Sequence, residues 1–202
     1  MTRIKVCGLT RPQDVSLCLE LEVDRLGFVF APSPRQISLQ QLDQLLEVGS
    51  FAWSAVLVDP TPQLVEELLA RQCPILQFHG SEPAEMLEAY RGRARIVKAL
   101  RISQPEHLEV ELPADEYLLD GARPGHGQPF DWAWLRSRRP NRPFYLAGGL
   151  HPDNVEEAIS AVAPLGVDVS SGVEQSHGLK CPTRLREFVR RVRSTLRDEA
   201  AG

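Results

Sequence analysis

The chain has 202 residues, of which 43% are hydrophobic, and this length and composition are typical of one globular domain with a single core. Its 23 basic and 27 acidic residues are mixed along the sequence and give a net charge of -4, so we expect no nucleic-acid partner and no polybasic contact with a membrane. The sequence contains neither the apolar stretch of a signal peptide nor a segment long enough to span a bilayer, which predicts a cytoplasmic protein that binds a small molecule.

Short apolar runs rich in β-branched and aromatic residues alternate with helical patterns along the chain, as in α/β proteins with a parallel sheet. Eight such runs are present, which is the strand number of a (β/α)8 barrel. We therefore predict an α/β fold, a single TIM barrel with eight parallel strands over residues 1–202, ending in a polar tail from about residue 197. The predicted strands are Arg3–Cys7, Arg25–Phe30, Trp53–Asp59, Pro74–His79, Arg95–Ile102, Glu116–Asp120, Phe144–Gly148 and Gly166–Ser171.

Helix starts are predicted where short polar side chains can accept hydrogen bonds from the unpaired N–H groups of a first helical turn. Thr61 followed by Pro62 predicts an N-cap with proline at the first helical position. Between the fifth and sixth strands, residues 104–115 contain two prolines and leave room for one or two helical turns. Capping boxes are predicted for the pairs Thr10 and Gln13, Ser38 and Gln41, and Ser103 and Glu106.

The cysteines lie far apart in sequence and lack the close spacing of zinc sites and of redox motifs. We therefore expect reduced thiols, no metal and no other cofactor. Cys18 lies within an apolar helical pattern and is predicted to be a small buried side chain. The four cysteines are Cys7, Cys18, Cys73 and Cys181.

Polar residues at the ends of the predicted strands are the candidates for a functional site, because the mouth of such a barrel is formed at the C-terminal ends of its strands. Two glycine-containing turns, Gly148-Gly149 and Ser171-Gly172, follow the seventh and eighth strands. Backbone N–H groups at these two positions commonly bind a phosphate, and glycine permits the close approach. The polar strand ends are Cys7, Asp59, His79 and Asp120.

The motifs at these positions, in this order and spacing, resemble those of the phosphoribosylanthranilate isomerase family of tryptophan biosynthesis. The resemblance runs from the first strand to the last helix, and its most specific piece is the opening Lys5-Val6-Cys7-Gly8-Leu9-Thr10. The other matching segments are Leu26-Gly27-Phe28-Val29-Phe30 with Ser33-Pro34-Arg35, Gln77-Phe78-His79-Gly80, Leu119-Asp120, Phe130-Asp131-Trp132, Leu146-Ala147-Gly148-Gly149-Leu150 and Ser171-Gly172-Val173-Glu174.

The resemblance implies an Amadori rearrangement, in which N-(5'-phosphoribosyl)anthranilate becomes 1-(o-carboxyphenylamino)-1-deoxyribulose 5-phosphate, the third step of tryptophan synthesis from chorismate. By position, Asp120 is the general acid that protonates the ribose ring oxygen. Cys7 is the general base that removes the C2' proton, and Arg35 binds the anthranilate carboxylate. A monomer or a homodimer is compatible with this reading.

The two reacting groups need opposite adjustments of their acidity. A carboxyl at a desolvated barrel mouth should have a raised pKa, so Asp120 is predicted to keep a proton to donate. Alternation along the first strand puts Lys5 and Cys7 on the same inward face. The charge of Lys5 is therefore expected to favour the Cys7 thiolate. His79 has two readings, a pocket-lining residue that transfers no proton or a structural histidine.

Three loops depart from the family's usual pattern. The segment Pro124-Gly125-His126-Gly127 stands where Gly-Gly-Thr-Gly is usual, and His177-Gly178-Leu179-Lys180-Cys181 stands where a Pro-Gly and a Lys-Asp pair are typical. The loop between Phe30 and Arg35 is one residue shorter than usual. Because one residue spans about 3.5 Å of chain, we expect altered substrate affinity rather than lost chemistry.

Two other functions compete with this one. A related sugar-phosphate isomerase of histidine biosynthesis resembles two half-barrels with an aspartate at the position of Cys7, and a pentose-phosphate epimerase needs metal ligands that the sequence does not offer. A non-catalytic barrel that keeps only the phosphate-binding loops is the alternative from a different class, and the loop departures are its support.

Overall fold

The computed structural model describes residues 2–121 and 130–199. Eight parallel strands form a closed barrel in chain order, and β8 pairs back with β1 between Arg3 and Gly166 and between Val6 and Val169. The predicted (β/α)8 architecture is confirmed. The strands are β1 (Arg3–Cys7), β2 (Arg25–Val29), β3 (Trp53–Leu57), β4 (Ile75–Phe78), β5 (Arg95–Ile102), β6 (Glu116–Gly121), β7 (Phe144–Leu146) and β8 (Gly166–Val169).

Helices cover the outside of the barrel between successive strands. The crossover from β5 to β6 is a single 3₁₀ helix, Pro105–Glu109, as short as its two prolines predict. After β8 come a 3₁₀ turn (Ser171–Val173) and an antiparallel pair, β9 (Glu174–Ser176) and β10 (Leu179–Lys180). The α-helices are α1 (Pro12–Glu20), α2 (Leu39–Leu46), α3 (Pro62–Ala70), α4 (Ala84–Tyr90), α5 (Trp134–Ser137), α6 (Val155–Val162) and α7 (Pro182–Glu199).

The last helix, α7, continues to Glu199, past the point at which the polar tail was expected to begin. The end of that expected tail, residues 200–202, lies outside the described residues, and so does the departure at residues 124–127. Within the described ranges, no helix combines the length and the apolar character needed to cross a bilayer.

Two predicted helix starts are confirmed. Ser38 and Gln41 form a reciprocal capping box at α2, and the Thr61 hydroxyl accepts from the Leu64 N–H at α3. The other two capping boxes were wrong, and in both cases a proline sets the first helical position one residue later than the predicted cap requires. At α1 the N-cap is Arg11, so Thr10 lies outside the helix and its hydroxyl donates to the Gly178 carbonyl. Near Ser103, the 3₁₀ helix follows Gln104 without a side-chain cap.

The main hydrophobic core lies between the barrel and its helices, and the alternation of β1 shows how the two faces divide. Ile4 and Val6 belong to this outer core, together with Cys18, which is fully buried as predicted. Lys5 and Cys7 take the opposite face, toward the barrel interior, where Cys7 packs beside a small cluster formed by Val29, Ala31 and Val56. The strand therefore delivers a charged residue and a thiol to the interior of the barrel.

Candidate active site

A cavity of about 270 Å³ opens at the C-terminal ends of the barrel strands. Seven of the eight residues predicted for the site line it, and they come from strands or loops that are distant in sequence. Gly172 is the exception. The seven are Cys7, Arg35, His79, Asp120, Gly148, Gly149 and Ser171.

Cys7 lies at the end of β1 beside a buried ion pair. The Lys5 ammonium is 2.9 Å from Asp168 Oδ2, and both side chains are almost completely buried. Burial raises the pKa of the Cys7 thiol, while the charge of Lys5 opposes that rise. Lys5 therefore acts in the predicted direction but is outweighed by burial. Burial also works against the Lys5 ammonium, yet Asp168 and Cys7 together raise the pKa of Lys5, so the ammonium stays charged.

Asp120, the penultimate residue of β6, lines the same cavity. Its side chain is buried, and burial raises the pKa of the carboxyl to about 6, against a lowering by the Gly121 N–H, which donates to Oδ1 at 2.8 Å. The predicted direction is confirmed. Gly148, with a φ of +81°, fits against this carboxyl because a Cβ at that position would lie 2.6 Å from Asp120 Oδ1.

The glycine-containing turns after β7 and β8 form the third side of the cavity. Gly148 and Gly149 both have positive φ angles, and Ser171 begins the 3₁₀ turn that follows β8. Gly172 lies behind this lining, where a Cβ would overlap the Leu150 carbonyl oxygen. Its lack of a side chain lets the two turns pack closely, while Gly149 and Ser171 face the cavity.

Arg35 lines the cavity from the loop after β2 despite the shorter loop. Its Nε donates to Glu174 Oε1 at 2.8 Å and its Nη2 donates to Glu174 Oε2 at 2.7 Å. His177 Nδ1 lies 3.3 Å from the same Nη2. The guanidinium is thus held by a bidentate ion pair to a residue 139 positions away in sequence.

His79 lines the cavity at the end of β4. Its Nε2 lies 2.8 Å from Gln77 Nε2. Burial lowers the pKa of His79 to about 3, and the charges of Lys5, Lys98 and Arg101 act in the same direction. The imidazole is therefore neutral near neutral pH, and its place in the cavity lining agrees with the reading of a pocket-lining residue that transfers no proton.

Several site residues were missed by the sequence reasoning. Asp168 and Arg101 line the cavity near the ends of β8 and β5. Asp168 is the one charged residue in the apolar run of β8, and Arg101 lies next to the last residue of β5, signals that the sequence did offer. Glu174 belongs to a segment that matches the family, but the sequence predicted no role for it. Asp59, in contrast, accepts from the Ser81 N–H at 2.8 Å and is not part of the cavity lining.

The described ranges contain no group of three or more histidine, cysteine, aspartate or glutamate side chains that could hold a metal ion. The cavity instead combines a thiol, a partly protonated carboxyl, two arginines and backbone turns with positive φ angles. This arrangement suits proton transfer on a substrate that carries negative charge.

Comparison with known proteins agrees with this geometry. A family model described as N-(5'phosphoribosyl)anthranilate (PRA) isomerase matches residues 4–191. The N-(5'-phosphoribosyl)anthranilate isomerase of Afipia carboxidovorans is 38% identical over 208 residues, which cover 95% of this chain and 89% of that protein. The crystal structure of phosphoribosyl anthranilate isomerase from Thermus thermophilus shares 33% identity with a TM-score of 0.85, covering 96% of this chain and 99% of the other.

A further solved structure is a phosphoribosyl anthranilate isomerase in complex with reduced 1-(o-carboxyphenylamino)-1-deoxyribulose 5-phosphate. Its sequence is 31% identical to this chain and its structure matches with a TM-score of 0.82, over 96% of this chain and 100% of the other. The family model and these relatives each span nearly the whole chain. The chain therefore belongs to the N-(5'-phosphoribosyl)anthranilate isomerase family.

Proposed function

We propose that the chain isomerises N-(5'-phosphoribosyl)anthranilate to 1-(o-carboxyphenylamino)-1-deoxyribulose 5-phosphate, with Asp120 as general acid and Cys7 as general base. The observation that carries the proposal is that a thiol and a carboxyl with a raised pKa line one cavity beside two glycine-containing turns, in a member of this family. A relative has been solved with a reduced form of the product named here.

The first step opens the ribose ring. Asp120, with a pKa of about 6, gives its proton to the ring oxygen as the C1'–O bond breaks. The electron pair of the anthranilate nitrogen forms a C1'=N bond, so the product of this step is a cationic Schiff base. Gly148 supports the step because it leaves room for the carboxyl at the cavity wall.

The second step moves a proton from carbon. The Cys7 thiolate removes the C2' proton, the C–H electron pair forms the C1'=C2' bond, and the C=N electron pair returns to nitrogen. The positive charge of the Schiff base and that of Lys5 both favour the thiolate at the moment it is needed. The resulting enolamine tautomerises to the aminoketone. Every change is a proton transfer or a shift of electron pairs within the substrate, so the chemistry requires no cofactor.

Binding uses three parts of the cavity. Backbone N–H groups of the turns at Gly148-Gly149 and Ser171-Gly172 hold the phosphate. Arg35 binds the anthranilate carboxylate, and the neutral His79 lines the pocket. The aromatic ring packs on the apolar wall formed by Val29, Ala31, Pro32, Val56 and Val58.

Asp168 adds a contact to the sugar. Its Oδ2 is paired with Lys5, while its Oδ1 is buried without a hydrogen-bond partner among residues 2–121 and 130–199. A buried carboxylate oxygen in a cavity wall is best satisfied by a donor, and a ribose hydroxyl supplies one.

The test is isomerisation of freshly prepared N-(5'-phosphoribosyl)anthranilate by the purified protein, followed through the fluorescence of the anthranilate group. Turnover should be lost in Cys7→Ala and in Asp120→Asn. Cys181→Ala and Asp131→Asn are matched controls, because both residues lie outside the cavity lining and should leave turnover unchanged. An inactive wild-type protein that still binds phosphate would favour the non-catalytic barrel.

Two further statements belong to the same proposal. We place the enzyme in the cytoplasm, where its four free cysteines would remain reduced. We also propose a monomer or a homodimer, which size-exclusion chromatography with light scattering distinguishes.

A further inference from the structure

Glu174 holds the Arg35 guanidinium along the edge formed by Nε and Nη2. Glu174 accepts from Nε and from Nη2, and both side chains are largely withdrawn from solvent, with exposed fractions of 11% for Arg35 and 4% for Glu174. Two parallel charge-assisted hydrogen bonds fix the plane of the guanidinium as well as its position. Glu174 therefore determines the direction in which the rest of Arg35 points.

The opposite edge, formed by Nη1 and Nη2, is the one left for a ligand. Glu174 is the single carboxylate within 4.0 Å of Arg35 in the described part of the chain, and residues 122–129 contain no aspartate or glutamate. The polar neighbour at this edge is His177 Nδ1, 3.3 Å from Nη2. A carboxylate of the substrate can bind this edge in bidentate geometry by displacing the His177 imidazole, whose contact of 3.3 Å is longer than the two hydrogen bonds to Glu174.

Glu174 is itself fixed by Lys180, which is fully buried. Lys180 Nζ donates to Glu174 Oε1 at 2.9 Å, to the Cys7 carbonyl at 2.6 Å and to the Ser170 carbonyl at 3.3 Å. Burial works against the Glu174 carboxylate, but Arg35 and Lys180 outweigh it and hold the pKa of Glu174 below its usual value. The charged carboxylate is thus tied to the backbone of the residue that carries the catalytic thiol.

We propose that Glu174 is a positioning residue that presents the Nη1/Nη2 edge of Arg35 to the aryl carboxylate of the substrate. The inference rests on the proposed function, in which Arg35 binds that carboxylate. Lys180 sets the distance between the Arg35 guanidinium and Cys7, because its ammonium donates both to Glu174, which holds Arg35, and to the Cys7 carbonyl. The consequence is selectivity for substrates with an ortho carboxylate on the ring.

The expected effect is on substrate binding. A long side chain that must be ordered on binding loses about two- to tenfold in affinity relative to one that is held in place beforehand. In Glu174→Gln the amide keeps the shape of the side chain but loses the charge and one acceptor. We expect the KM for N-(5'-phosphoribosyl)anthranilate to rise about two- to tenfold, with kcat changed less than twofold.

The decisive comparison uses a second substrate without the carboxylate, N-(5'-phosphoribosyl)aniline, made from aniline and ribose 5-phosphate. Its KM should be equal for wild type and Glu174→Gln, because this substrate has no carboxylate for Arg35 to bind. Arg184→Met is the matched control, since Arg184 Nη1 donates to the Glu174 backbone carbonyl and not to its carboxylate. This control should leave both KM values at the wild-type level.

Other outcomes overturn the inference. An equal rise of KM for both substrates, or a fall in kcat with KM unchanged, would show that Glu174 acts only through Lys180 on the position of Cys7, and not through Arg35. Unchanged KM for both substrates would exclude a positioning role. Glu174→Asp provides a second variant in case the amide impairs folding, because it keeps the charge but shortens the reach, and it should raise KM for the carboxylated substrate alone.

The role of Arg35 can be separated from that of Glu174 in a double-mutant cycle. In Arg35→Met the preference for the carboxylated substrate should disappear, and adding Glu174→Gln to that variant should change the ratio of the two KM values no further. A wild-type enzyme that turns over neither substrate would refute the proposed function and this inference together, whereas a normal wild type with an unaltered ratio in Glu174→Gln would refute the inference alone.

Discussion

Gly148 is the residue whose substitution gives the sharpest test of how the cavity wall is built. It has a φ of +81°, and a Cβ added there would lie 2.6 Å from Asp120 Oδ1 and 2.7 Å from the Gly121 nitrogen. Gly148→Ala therefore has two separate costs. The left-handed backbone costs an L-residue about 1–2 kcal/mol, and forcing a methyl group into a filled space adds about 1–3 kcal/mol.

The matched control is Gly92→Ala. Gly92 has nearly the same φ, +80°, but an added Cβ there meets nothing within 4 Å. The control should lose only the backbone contribution, about 1–2 kcal/mol of unfolding free energy, and keep the wild-type kcat. Gly148→Ala should lose about 2–5 kcal/mol in total.

The catalytic readout is independent of stability. The Asp120 carboxyl must move to relieve the contact with the new methyl group, and a displacement of about 1 Å in a reacting group costs on the order of 100-fold in rate. Denaturant unfolding and steady-state kinetics of both variants measure the two effects. If Gly148→Ala matched Gly92→Ala in unfolding free energy and retained wild-type kcat, the tight fit of Gly148 against the Asp120 carboxyl would be refuted.

Three further predictions follow from named contacts. The folded-state pKa of Asp120 is about 6, above its usual 3.8, so its ionisation destabilises the fold increasingly from pH 3.8 to 6 and fully above that range. Asp120→Asn should therefore raise the free energy of unfolding by up to about 3 kcal/mol at pH 8 and leave it unchanged below about pH 4. Urea unfolding of both proteins across this pH range measures the difference. Lys5→Met should raise the pKa of the Cys7 thiol, seen as a shift of its alkylation rate to higher pH, and an unshifted profile would exclude the coupling. Ser38→Ala should cost about 1 kcal/mol as a lost capping box, whereas Ser103→Ala should cost almost nothing, and equal losses in thermal unfolding would contradict the assigned caps.

The barrel was predictable because most strand residues are buried on both faces, so the strands stand out as short, largely apolar runs. The predicted ends at Asp59 and Ser171 each overshot by two residues. There the chain leaves the hydrogen-bond ladder to form the mouth, and the residue that follows each strand, Val58 or Ser170, does not mark this point in the sequence. Helix caps were predictable where the residue after the predicted cap opens the helix, as at Ser38 and Thr61, and not where a proline sets the first helical position one residue later, as at Thr10.

The site was predictable to the extent that it follows from strand ends. Cys7 and Asp120 could be found because they terminate strands whose ends must meet at one mouth. The pairing of Arg35 with Glu174 could not, because it joins residues 139 positions apart and depends on the packing of a short antiparallel pair after the last strand. The direction of the pKa change at Cys7 was equally inaccessible, since burial raises the pKa while the charges of Lys5 and Lys180 lower it, and the sequence does not show which effect is larger.

The three hydrogen bonds of the Lys180 ammonium also have a consequence for how the enzyme is completed during synthesis. Cys7 precedes Lys180 by 173 residues and is therefore made earlier, yet its carbonyl accepts a hydrogen bond from the Lys180 side chain. The closing strands β1 and β8 meet at this seam. A nascent chain or truncated fragment that stops before residue 180 therefore has the thiol but lacks the hydrogen bond from Lys180 to the Cys7 carbonyl, which forms only after β1 and β8 have paired and the segment that follows β8 has folded.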